Sequence, residues 1–164
     1  MSVIIFKSSD SKNIILDKNK KHFGSIKFEG FFNQRTQAIS ANNEIFDFVH
    51  PSIWKDTYEL SQSNEVFLTL KIGLWGKIQI INSKSGKAYH LASKSWLNKK
   101  FILTDDTGEL LFDLNVKYGF LVSIKEAVME TTARFDNMKE QFIICTAVIF
   151  TINEQIKKTV IISS

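Results

Sequence analysis

Short stretches of alternating apolar and polar residues recur along most of the chain, and one long apolar run breaks the rhythm near its end. The clearest alternations are His22–Phe28, where Gly24, Ile26 and Phe28 oppose Phe23, Ser25 and Lys27, and Glu44–His50, where Phe46 and Phe48 oppose Ile45, Asp47 and Val49. A period of two sends successive side chains to opposite faces, so each stretch predicts a strand with one buried face. Val3–Lys7, Asn13–Asp17, Thr36–Ser40, Glu65–Ile72, Lys77–Ile81, Lys87–Leu91, Phe101–Thr104, Glu109–Leu114 and Val116–Ile124 read similarly, with Thr131–Phe135 and Thr159–Ile162 as further candidates. Gly86 and Gly108 fall late in the polar segments between two of these pairs, where a hairpin turn needs positive φ. Pro51 closes one strand, since it cannot donate to a ladder, and Ile53, Trp54, Tyr58 and Leu60 read as a less regular connection. Gly73 and Gly76 bracket a bend or bulge. About ten or more short strands at this spacing imply an antiparallel sandwich or barrel.

The exception is Phe142–Ile152, which contains no charge and is apolar at helical and strand spacing alike. A helix apolar on every side must be buried on every side. The run is too short to cross a bilayer, which takes about 20 apolar residues, so the wrapping must be protein. A long strand is the competing reading, because Ile, Val, Thr and Phe all favour strands. Length favours the helix, as does the lead-in, where Asp136 or Asn137 suits an N-cap and Glu140 lies three residues after Asn137. Lys157 and Lys158 suit the helix C-terminus.

The totals add three constraints. A chain of 164 residues, 44% hydrophobic and with one proline, fits a single globular domain over residues 1–164. The lone Cys145 forms no intramolecular disulfide and, inside the apolar run, reads as a small hydrophobe. No signal peptide or spanning helix stands out, so a cytoplasmic location is expected. Charge is uneven: residues 1–100 carry 15 basic and 8 acidic side chains, whereas 101–164 carry 6 and 9. That asymmetry points to an anionic partner, with surface lysines that keep strand edges soluble as the plainer explanation.

Antiparallel hairpins followed by an apolar C-terminal helix resemble the tubby-like superfamily, and within it the LURP-one-related proteins. The hairpin Phe101–Phe112, with its Asp105-Asp106-Thr107-Gly108 turn, carries the resemblance, together with Leu91–Trp96 and Gln141–Ile152. The resemblance implies a closed antiparallel β-barrel of about 12 strands around a central hydrophobic C-terminal helix, so that the barrel supplies the wrapping. It also implies phosphoinositide binding, as in tubby domains, and a fold shared with phospholipid scramblases. The Lys-x-x-Arg phosphoinositide motif has no counterpart, because neither Arg35 nor Arg134, the only arginines, has a lysine three residues before it.

His22, His50 and His90 lack metal-ligand spacing, no nucleophile elbow or phosphate loop occurs, and Asp105-Asp106 reads better as a turn than as a catalytic pair. The expectation is a non-enzymatic binding domain with no cofactor or metal. Its candidate anion-binding rim is Lys18, Lys20 and Lys21, joined in space by Lys94, Lys99 and Lys100, and directed at acidic headgroups of a membrane surface. Nucleic acid is not expected, since no basic stripe with interleaved aromatics occurs. The alternative is a protein-interaction domain anchored by Trp54, Tyr58, Trp75 or Trp96. A small apolar ligand in the lumen is disfavoured, because the apolar run would fill that space.

Overall fold

The structure, a computed structural model, describes residues 1–29, 35–51, 56–73, 76–95, 99–119 and 123–163, with side chains to residue 158. Twelve strands follow in order: β1 (Val3–Asp10), β2 (Asn13–Lys18), β3 (Lys21–Glu29), β4 (Arg35–Ser40), β5 (Ile45–Val49), β6 (Thr57–Gln62), β7 (Glu65–Ile72), β8 (Ile78–Asn82), β9 (Ala88–Ser93), β10 (Lys100–Thr104), β11 (Leu110–Tyr118) and β12 (Ile124–Thr131). Each pairs antiparallel with its sequence neighbours, and β1 pairs with β12 through Val3↔Glu130 and Ile5↔Val128. The result is a closed up-and-down barrel, which leaves no strand edge unpaired. Alternate residues point inward: Ile4 and Phe6, Ile14 and Leu16, Ile26 and Phe28, Leu68, Leu70 and Ile72 are all buried.

The tight turns follow from backbone chemistry. Asn19 and Lys20 connect β2 to β3, and Ser63 and Asn64 connect β6 to β7, all with positive φ, as two-residue turns matched to strand twist require. Gly86 and Gly108 have φ of +72° and +87° with open space around them, so backbone freedom is what those sites need.

A short helix α1 (Ala133–Asp136) precedes α2 (Gln141–Ser163). Every residue of α2 from Ile143 to Ile152 is buried. At about 3.6 residues per turn these ten positions pass round the axis almost three times, so the helix is enclosed on all sides and packs against β3, β4, β7 and β8. Thr146 and Thr151, both fully buried, donate to the carbonyls of Ile143 and Val148 at 3.0 and 2.9 Å, which removes the cost of an unpaired hydroxyl. Beyond Ile152 burial becomes intermittent, with Ile156 buried and its polar neighbours partly exposed, as the helix leaves the lumen.

Five expectations are corrected. Glu109–Leu114 and Val116–Ile124 are not two strands: Leu110–Tyr118 is the single strand β11, and Ile124 is the first residue of β12. The segment read as irregular contains β6, whose Tyr58 and Leu60 alternate inward; Pro51 and the apolar pair Ile53-Trp54 that follows it in the sequence hide the period. Thr131–Phe135 is the end of β12 and α1, with Thr132 as N-cap accepting from the Phe135 amide. The closing strand Thr159–Ile162 is helix, so Lys157 and Lys158 lie within α2 instead of ending it. Asn137 caps the C-terminus of α1, and α2 begins with the Ile144 amide bonded to the Glu140 carbonyl, so the proposed capping box does not form.

Candidate anion-binding surface

In an up-and-down barrel successive turns alternate between the two ends. The β2–β3, β4–β5, β6–β7, β8–β9 and β10–β11 turns lie at the end where α2 enters; the β7–β8, β9–β10 and β11–β12 connections lie at the opposite end. The predicted lysine rim is therefore divided. Lys18, Lys20 and Lys21 stand at the entry end, and Lys94, Lys99 and Lys100 at the far end. Antiparallel neighbours make the end follow the parity of the turn, and a chain without β6 would place the Lys94–Lys100 turn at the entry end.

Lys18 is not free for a ligand. Its ammonium lies 3.3 Å from an Asp136 carboxylate oxygen, donates to the Gln141 side chain and lies 5.8 Å from the centre of the Phe23 ring. It pins the start of α2 to β2. Asp136 also accepts from Ser2 Oγ and Thr131 Oγ1 at 3.0 and 2.9 Å. Burial would raise this carboxyl's pKa, but the hydroxyl bonds and Lys18 outweigh it and hold the group below the usual carboxylate range. Lys20 and Lys21 are exposed.

At the far end the six strands β7–β12 are consecutive around the ring. Their far-end portions carry Lys71, Lys77, Lys94, Lys99, Lys100, Lys117 and Lys125, and a single acid, Glu126. Lys117 pairs with Glu126 at 3.2 Å. Among the described residues the other six lysines are exposed and have no ion-pair partner. Adjacent strands lie about 4.8 Å apart, so three neighbouring turns gather these charges into one arc. Ser95 organises the middle turn: its hydroxyl accepts from the Lys99 and Lys100 amides at 3.1 and 3.3 Å, and the Lys94 amide donates to the Lys100 carbonyl at 2.7 Å. The other half of this rim is mixed, with Asp10, Glu29 and Asp56 among its bases and Lys27 paired to Glu29 at 2.7 Å. The entry end leans acidic instead: Asp17, Glu44, Glu65, Asp105, Asp106, Glu109, Glu130, Asp136 and Glu140 are all near it.

The remaining candidates resolve simply. Asp105 is a turn residue, accepting from the Thr107 amide and hydroxyl and the Glu109 amide at 2.7–3.0 Å, with Arg134 Nη2 at 2.5 Å. Tyr58 is buried, edge-on to Phe150 at 5.0 Å and stacked on His50 at 4.5 Å, and burial pushes its hydroxyl up to about 12, so it is core and not an exposed anchor. Trp54, Trp75 and Trp96 lie outside the described residues. Cys145 is fully buried, and burial raises its thiol pKa. No helix among the described residues is long and apolar enough to cross a membrane.

This fold is found in a known protein. The chain superposes on the crystal structure of the Arabidopsis thaliana protein AT5G01750 with a TM-score of 0.61 over 93% of this chain and 91% of that one, at 13% identity. At that identity the likeness speaks for the barrel alone. No protein-family model matches the chain, and neither does any curated protein.

Proposed function

We propose that this barrel is a non-enzymatic binding domain that docks peripherally on anionic phospholipid at the cytoplasmic face of a membrane, through the far-end lysine arc. The supporting observation is the arc itself: among the described residues, six exposed lysines without ion-pair partners stand on or beside the far ends of β7, β8, β9, β10 and β12, with one acid beside them. Ammonium groups near an anionic surface contribute about 1 kcal/mol each, so partial engagement of the arc suffices for reversible attachment. Membership of the tubby-like superfamily, as a LURP-one-related protein, belongs to the same proposal; the fold is compatible with it. The protein-interaction alternative loses Tyr58, which is buried.

Co-sedimentation with vesicles tests the reading. Binding is expected to vesicles containing phosphatidylserine but not to pure phosphatidylcholine, and to weaken steeply with salt, because exposed charges are screened beyond about 8 Å at physiological ionic strength. Lys94→Glu/Lys99→Glu/Lys100→Glu should abolish it, whereas Lys20→Glu/Lys21→Glu at the entry end should not. Binding indifferent to lipid charge, or lost equally in both variants, contradicts the proposal.

A further inference from the structure

The entry end carries a feature unrelated to the lysine arc. Between the first turn of α2 and the β4–β5 and β8–β9 turns lies a cavity of about 530 Å³, within the range of small-molecule sites, about 300–1,000 Å³. Phe23, Phe46, Phe67, Phe142 and Ile143 form its apolar wall. The rings brace one another, with Phe23 edge-on to Phe142 at 5.5 Å and Phe46 edge-on to Phe67 at 5.6 Å. Yet Phe23, Phe67 and Phe142 are only partly buried, so apolar surface remains open within a concave site. A second, polar cavity of about 300 Å³ adjoins it, and the two share Ser85, Lys139 and Glu140.

The charges around this double chamber are mostly occupied. Glu140 accepts from Asn82 Nδ2 at 3.3 Å, and Glu44 from Ser40 Oγ at 3.3 Å. Lys84 pairs with Glu65 at 3.0 Å and covers the Phe67 ring, while Arg134 is held by Asp105 and Glu109. Among the described residues Lys87 and Lys139 keep no ion-pair partner, and Lys139 stands where the two chambers meet. Among the described residues Asp106 is the one lining carboxylate in the polar chamber without an ion pair or side-chain hydrogen bond.

We infer that this double chamber binds a small amphipathic organic anion, its apolar ring or chain among the phenylalanines and its carboxylate or sulfonate group against Lys139 and Lys87. The inference does not depend on membrane docking, which uses the opposite end.

The test titrates the full chain with anilinonaphthalene sulfonate and with the uncharged N-phenylnaphthylamine, reading fluorescence and thermal midpoint together. Saturable one-to-one binding of the sulfonate, with a raised midpoint and displacement by dodecanoate, is expected. Lys87→Ala/Lys139→Ala should weaken the sulfonate at least tenfold and leave the neutral probe unchanged. Ala41→Trp, an exposed lining position, should fill the apolar chamber and remove both, with the far-UV spectrum intact. Absence of saturable binding, or binding untouched by Ala41→Trp, overturns the inference. So does a sulfonate affinity reduced by Lys94→Glu/Lys99→Glu/Lys100→Glu but not by the lysine pair in the chamber.

Discussion

Replacing Phe150 by alanine removes a buried ring from the middle of α2, inside the barrel. Phe150 is 4% exposed, stacked on Phe48 at 4.2 Å and 15°, and edge-on to Tyr58 at 5.0 Å and 77°. Phenylalanine-to-alanine changes in cores cost about 3–5 kcal/mol, depending on how far the site collapses. Here collapse is restricted, because the wall around the ring is a hydrogen-bonded barrel closed by β1–β12 pairing. Two aromatic contacts are also lost, worth about 0.5–1.5 kcal/mol each beyond area burial. The upper part of the range, about 4–5 kcal/mol, is therefore expected. For a domain of this length it lowers the thermal midpoint by roughly 8–20 °C. Urea unfolding followed by far-UV circular dichroism measures it, with Ile15→Ala as control: Ile15 is 37% exposed on β2, and its loss should cost under about 1 kcal/mol. Equal costs for the two variants would refute the enclosed helix.

Two other perturbations probe how α2 is seated. Gly24 on β3 has φ of +156°, and a Cβ there would run into the Phe142 ring and sit 2.5 Å from the Ile39 carbonyl oxygen; Gly24→Ala should destabilise by about 1–3 kcal/mol, and a stability change under a few tenths in urea would show that β3 and α2 are not in close contact. Asp136 has a depressed folded-state pKa, below its ordinary 3.8, so its contribution is complete above the unfolded value and is lost as pH falls through the folded one. The stability gap between wild type and Asp136→Asn should thus be widest near neutrality and close below pH 3.8; a gap independent of pH between 2 and 7 contradicts the role given to Lys18, Ser2 and Thr131.

The barrel was legible because its strands are half buried, and period two survives in most of them. Phe46 and Phe48, or Gly24, Ile26 and Phe28, declare the inner face without any tertiary knowledge. The helix was legible for the opposite reason: full enclosure erases periodicity, and the run's length then decides. What escaped was local competition. At α1 the Thr132 cap and the Asp136 cluster stop a strand-like stretch from continuing. At Thr159–Ile162 strand propensity yields to a helix already nucleated inside the barrel. The lysine rim failed on counting, since an overlooked strand inverts the end at which every later turn lies. The double chamber has no linear signature: Phe23, Phe67 and Phe142 meet only through the register of β3 and β7 and the seating of α2.

Cys145, the single thiol, reports on the enclosure most directly. It sits at zero exposure on α2, with Sγ 3.6 Å from Met129 Sδ of β12. With the helix inside a closed barrel, a thiol reagent such as dithionitrobenzoate should label the native protein only through global unfolding, with the same urea dependence as the loss of circular dichroism. Stoichiometric labelling within minutes in native buffer, with the spectrum unchanged, would mean that α2 lies open to solvent and that the barrel is not built around it.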